Sequence, residues 1–245
     1  MKIRIKFAKY GVMKFIGHLD MMRFFQKAVR RAGIAVKYSE GYSPHQIMSF
    51  ASPLGVGIES RGEYLDLEVS SIASAEDVKQ ALNRVMVEGV EVLSVTVLSD
   101  QAKNAMASVA AAAYRLQMKE GRFPIADLSS KIQDFYHQDR IPCIKKTKRS
   151  VAELDLKQGI YEIGADADEA VYMLLNASSS GSIKPAMVFE AFCQFAREEI
   201  PACAYQITRL EIYADLADKG EAHRFAPLAA SADAGCIPAD VCYAG

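Results

Sequence analysis

Residues 2–10, KIRIKFAKY, alternate by twos, with Ile3, Ile5 and Phe7 on one side and Lys2, Arg4 and Lys6 on the other. That pattern fits an extended strand with one buried face. Over 17–32 the period lengthens to that of a helix: Met21, Phe25, Ala28 and Ala32 share one side, Arg23, Lys27 and Arg30 the other, and Gly33 closes the run. A half-buried strand followed by an amphipathic helix commits the chain to a layered α+β fold, because each element carries an apolar face that another layer must cover.

The rest of the first hundred residues extends this start. A short strand is expected at 34–37, an alternating one at 63–70 (EYLDLEVS), a helix over 74–87 capped by Ser74, and a β-branched strand at 90–99. The order β-α-β-β-α-β is the split βαβ, ferredoxin-like arrangement. The second half repeats it, with a strand at 106–119, a helix at 127–138, a hairpin at 141–146 and 151–156, a strand at 170–178, a helix at 185–196 entered by Pro185, and a last strand at 204–214. The reading is therefore two tandem ferredoxin-like units with antiparallel sheets: 1–100, carrying the motif loop described below, and 101–215. An Ala-, Gly- and Asp-rich tail, 216–245, reads as poorly ordered.

With 51% hydrophobic and 24% charged residues among 245, the chain can bury substantial cores. It has no apolar run of bilayer length, and its start alternates where a signal peptide would be uniformly apolar, so a cytoplasmic protein is expected. Five cysteines without C-x-x-C spacing read as reduced thiols, implying neither zinc nor an iron–sulfur cluster. The net charge of −1 conceals an asymmetry: residues 1–48 hold ten Lys or Arg against Asp20 and Glu40 alone.

Between the predicted strands lies KYSEGYSPHQIMSFASPLGVG, residues 37–57, too irregular for one element yet rich enough in Tyr38, Tyr42, Ile47, Phe50, Leu54 and Val56 to be ordered. A loop of this length in a compact chain is usually functional. Three groups could carry chemistry. Arg23, Lys27 and Arg30, flanked by Arg31, form a helix face on which phosphates could lie, or a solvated face. Lys145, Lys146, Lys148 and Arg149 crowd a hairpin tip that could reach a nucleic-acid backbone, or be a soluble turn. His18 and Asp20 at the helix entry and His45 in the loop suit metal binding or acid–base work, or helix capping. Ser39, Ser43 and Ser49 lack the strand-turn-helix setting of a hydrolase nucleophile. Gly55 and Gly57 lead into no phosphate-cradling helix. Tyr38, Tyr42 and Phe50 can stack on bases or pin the loop.

Taken together, FIGHLD, RRAGIAVKYSEGYSPHQIMSFASPLGVGIES and EYLDLEV closely resemble the uncharacterised family of radical SAM-linked bacterial proteins, a domain of unknown function. The resemblance rests on His18, Leu19, Asp20, Arg30, Arg31, Ala32, Tyr38, Ser39, Gly41, Tyr42, Pro44, His45, Ser49, Phe50, Ala51, Pro53, Leu54, Lys145, Lys146 and Thr147, and extends to about residue 214. Gln46 and Ile47 depart from it, standing where the family more often has a basic continuation. The resemblance implies a radical SAM enzyme as partner. This chain has no C-x-x-x-C-x-x-C motif with which to hold that cluster itself, and no cofactor is expected.

The function expected from these readings is a non-catalytic RNA-binding module acting with a radical SAM enzyme in tRNA or rRNA modification. Two alternatives stay open: a scaffold that docks that enzyme without RNA, and a metal-dependent enzyme using His18, Asp20 and His45.

Overall fold

The computed structural model describes residues 1–119, 125–146, 151–218 and 220–230. Its elements run β1 (Lys2–Lys9), α1 (His18–Arg31), β2 (Met48–Phe50), β3 (Glu59–Glu68), α2 (Ala75–Asn83), β4 (Val90–Leu98), α3 (Ala105–Ser108), β5 (Ala111–Met118), α4 (Leu128–His137), β6 (Pro142–Lys146), β7 (Val151–Asp155), β8 (Ile160–Ala165), β9 (Val171–Asn176), α5 (Pro185–Ala196), β10 (Tyr205–Asp215) and β11 (Phe225–Pro227). The chain is a mixed α+β protein built on one large, mostly antiparallel sheet.

Among the described residues nine strands join in that sheet, with β4-β1-β3-β10-β5-β9-β8 as its spine, β2 on β3 and β11 on β10. Within the first half the spatial order is β4-β1-β3-β2, and within the second β10-β5-β9-β8, so each half follows the same fourth-first-third-second path. The halves meet where β3 and β10 run parallel over just two residue pairs, Glu59–Thr208 and Ser60–Arg209. The expected pair of sheets is thus a single continuous one. Gly62 makes this crossing possible: a Cβ there would stand 2.7 Å from the Glu211 Cα and from the Leu210 carbonyl oxygen.

The first-half core packs Ile3, Ile5 and Phe7 of β1 and Leu65 and Leu67 of β3 against Met21, Phe25 and Val29 of α1 and Val78 and Leu82 of α2. Asp20 in the first turn and Arg30 and Arg31 in the last complement the α1 dipole. The helix ends at Gly33 (φ +70°), with the Gly33 N–H donating to Arg30 and the Ile34 N–H to Val29, a Schellman closure. Ser74 caps α2 by accepting from the Asp77 N–H at 3.0 Å. In the second half α4 and α5 bury Ile132, Phe135, Val188, Phe189 and Phe192 against β5, β9 and β10.

Five expectations are corrected. The segment at 34–37 contributes only the isolated bridge Val36–Val69, and the second strand of this half is β2, inside the loop. The helix expected to reach 87 ends at Asn83, and 106–108 belong to α3, whose first turn is capped by the Asn104 side chain, so β5 begins at Ala111. The 141–156 hairpin forms its own two-stranded sheet. Its expected place in the main sheet is taken by β8, whose alternation is blurred by a register shift between Ile160 and Glu162. The tail folds back: β11 pairs with β10, and Leu228 is fully buried with its N–H on the Ile212 carbonyl. Residues 231–245 of that tail lie outside the described residues. Among the described residues, no helix is long and apolar enough to cross a membrane.

Candidate functional site

The motif loop is ordered by backbone pairing at both ends. The Lys37 N–H donates to Glu68, the Ile47 N–H to Lys37 and the Glu68 N–H to Ile47, so 37–47 project as a narrow finger from the end of β3. Ser39 and His45 close the finger, the hydroxyl lying 2.9 Å from Nδ1 and accepting from the His45 N–H at 3.1 Å. Beyond this clasp Gly41 turns the chain at φ +109°, and Tyr42 stands fully exposed beside the exposed Pro44. Tyr38 is half exposed at 49%.

The second part of the loop goes inward. Met48–Phe50 pairs with Leu67–Leu65, and the Phe50 ring meets the edges or faces of Phe7, Phe25 and His18 at 5.3–6.0 Å between centroids. The three loop aromatics therefore divide: Phe50 pins the loop, while Tyr38 and Tyr42 face water. Ser49 reaches Asn104 at 3.4 Å, joining the loop to the segment before α3. Pro53 is exposed. At the loop's end the Gly57 N–H donates to Lys14 and its carbonyl accepts from Gln206. Lys14 itself bridges Glu59 at 3.1 Å and Gln206 at 2.8 Å.

Beneath this end sits a buried polar cluster. Arg209 of β10 and Glu63 of β3 form a two-bonded ion pair with side-chain exposures of 2% and 5%, and the same guanidinium donates to the Ser52 carbonyl at 3.2 Å. Burial would loosen the Arg209 proton, but the Glu63 carboxylate and the Tyr114 hydroxyl outweigh it and hold the guanidinium above the ordinary arginine range. Lys9 is also buried, donating to the Ile16 carbonyl at 2.6 Å. Burial lowers its ammonium from the usual value, with Glu63 opposing the shift and Arg209 adding to it. Lys9, His18, Ser52 and Glu63 line one cleft, but its free volume of about 10 Å³ holds no more than a single water.

His18, Asp20 and His45 are engaged separately: His18 against Phe50, Asp20 with Arg23 at 3.1 Å, and His45 with Ser39. Among the described residues no group of three or more His, Cys, Asp or Glu side chains could hold a metal ion. Arg23, Lys27 and Arg30 are all exposed on α1, as is Lys37 at the base of the finger. Arg31 touches the Val85 carbonyl at 3.4 Å. Lys27, Arg30 and Lys37 make no ion pair among the described residues. The finger lies against this helix, the Gln46 amide donating to the Gln26 carbonyl at 3.2 Å. Lys145 and Lys146 end β6, whereas Thr147, Lys148 and Arg149 lie outside the described residues.

Sequence reasoning passes over Lys9, Ser52, Glu63 and Arg209. Glu63 and Arg209 sit in strands that carry several other polar and charged residues, so nothing in the sequence sets them apart. It also leaves unnoticed Val12, Phe15 and Leu19, which, like Val56 of the loop, are each more than 60% exposed.

No curated protein matches this chain. Among solved structures, one described as the crystal structure of a Cbf5-Nop10-Gar1 complex is similar at 10% identity and a TM-score of 0.41. The match covers 86% of this chain and 48% of the other, so the present chain spans about half the length of that relative. A family model described as "Uncharacterized protein conserved in bacteria (DUF2344)" matches residues 2–185, from β1 through the motif loop to the start of α5. The chain belongs to that family.

Proposed function

We propose that this protein is an RNA-binding accessory module that presents tRNA or rRNA to a radical SAM enzyme in the cytoplasm. The observation that carries the reading is the surface formed by α1 and the finger. Lys27, Arg30 and Lys37 are exposed without carboxylate partners among the described residues, beside a tip bearing an exposed Tyr42. Unpaired cations follow a phosphate backbone, and an exposed aromatic ring on a clasped loop can stack on an unpaired base. The resemblance to radical SAM-linked proteins supplies the partner class.

The shared fourth-first-third-second strand path supports a finer statement about the fold, that each half is a split βαβ, ferredoxin-like unit and the two stand in tandem.

The test is a salt titration of RNA binding by the full chain. Binding should weaken steeply with salt, and neutralising Arg23, Lys27 and Arg30 to Gln should flatten the slope of log K against log salt by up to about 2. Binding indifferent to salt and to these substitutions would sink the reading.

A second reading is favoured by a different observation, the exposed apolar group Val12, Phe15, Leu19 and Val56. This is the scaffold that docks the radical SAM enzyme without RNA. Copurification of that enzyme, lost on Phe15→Ser and Leu19→Ser but kept in the Gln variant of α1, would support it over the first.

A further inference from the structure

The geometry points to a guanine-reading pocket on the side of the sheet opposite α1 and α2, a finding that rests on the RNA reading above and gives it a base. Since β1 turns Ile3, Ile5 and Phe7 toward the helices, its intervening residues face the other way. Ala8 and, just past the strand, Tyr10 line a cavity of about 400 Å³, together with Arg61, Glu91, Leu93 and Thr208. Its lining runs from β4 across β1 and β3 to Thr208 of β10, so both halves contribute. The volume is in the range of small-ligand sites.

The lining sorts into parts that one ligand can satisfy together. Ala8 is buried and Leu93 half-buried, giving an apolar floor. Tyr10 is 42% exposed, its side chain free of hydrogen bonds among the described residues. Its backbone is fixed, because its N–H donates to Gly89, and any Cβ at Gly89 would come within 2.7 Å of the Tyr10 carbonyl oxygen. Arg61 and Glu91 are both exposed and without an ion-pair partner among the described residues, although they line the same cavity. Glu59, also at the rim, is already neutralised by Lys14.

A flat ring can lie against Tyr10, a phosphate can meet Arg61, and the Glu91 carboxylate offers two hydrogen-bond acceptors. Of the four bases, guanine offers two adjacent N–H donors on its Watson–Crick edge, the match for a carboxylate. Adenine and cytosine offer a donor beside an acceptor, and uracil a single donor between acceptors. Unpaired RNA bases are recognised by such stacking and edge contacts.

The experiment is titration of the full chain with GMP, AMP, CMP, UMP and guanosine, followed by saturation-transfer NMR. RNA binding is measured in parallel. GMP should bind about tenfold or more tightly than the other three. Glu91→Gln should erase that preference, Tyr10→Leu should weaken all four, and Arg61→Gln should weaken the monophosphates but leave guanosine unchanged. All three positions are exposed, so unaltered circular dichroism and melting would show that the variants fold. Equal binding of the four nucleotides, or no binding, would overturn the pocket assignment while leaving salt-dependent RNA binding by α1 untouched. GMP selectivity without any RNA binding would uphold the pocket and overturn the RNA reading.

Discussion

The seam between the halves and the outer face of α1 use the same residue types in opposite ways. At the seam Arg4 is bonded twice to Asp66 and donates to the Leu228 and Lys103 carbonyls, Arg209 is bonded twice to Glu63, and Lys6 meets Glu211 at 2.6 Å. Glu211 also accepts from the Tyr64 hydroxyl at 2.7 Å; burial first, and that carboxylate second, push the Tyr64 phenol well above its ordinary value. On α1, Lys27 and Arg30 have no such partners among the described residues. Charges at the seam are satisfied and specify how two halves dock, whereas charges on α1 leave a field in solvent. A basic residue in this sequence is therefore informative only with its neighbours known.

The contrast is broken most severely at Arg209. Replacing it with Ala strands Glu63 in the interior, with an expected loss of about 3–5 kcal/mol in chemical denaturation. Replacing both partners, Arg209→Met with Glu63→Leu, should recover most of that. Equal losses in the single and double variants would mean that packing, and not the stranded charge, sets the cost.

Gly62→Ala comes next. Its Cβ would press on the Glu211 backbone, which cannot yield as a side-chain tip can, so an overpacking cost of about 1–3 kcal/mol is expected. A variant as stable as the parent would show the crossing of β3 and β10 to be looser than described.

A smaller effect separates the seam from the far edge of the second half. There Asp166 accepts from Arg115 and caps the turn into β9 through the Asp168 and Ala170 N–H groups. Burial alone would raise its carboxyl, but the Arg115 guanidinium and these N–H groups outweigh burial and hold it below the ordinary value. Its stabilising contribution is therefore complete above an unfolded-state value of about 4 and fades as pH falls through the lower folded one. Asp166→Asn should flatten that part of the acid limb of the stability profile. An unchanged limb would remove Asp166 from the account.

The smallest effect is expected on α1, where Lys27→Gln and Arg30→Gln should shift stability by no more than about 0.5 kcal/mol while RNA affinity falls. A large stability loss would move this face from binding surface to structural element.

What the sequence displays follows the same division. Local periodicity marks β1, α1 and α5 closely, because a strand or helix with one buried face writes its period into adjacent residues. The seam leaves almost no such trace: Glu63 and Arg209 are 146 positions apart, and each alone resembles an ordinary strand charge. β8 escapes because a bulge breaks its alternation, and β2 because three residues inside a turn-rich loop are too few for a period to show. His18 and His45 stand out for their chemistry, yet the geometry gives them ring packing and a loop clasp instead of a shared site.

The long separation between Glu63 and Arg209 has a temporal side. At bacterial elongation rates a ribosome takes on the order of ten seconds to pass from one to the other. During that interval the first half can form its helices and its core, but the edge of β3 and the Ser52 carbonyl must wait for a strand not yet made. Nascent chains halted just before Arg209 emerges are thus expected to be cut by protease between 50 and 60, and chains released after it to resist, so that the motif loop takes its final shape as one of the last events of synthesis.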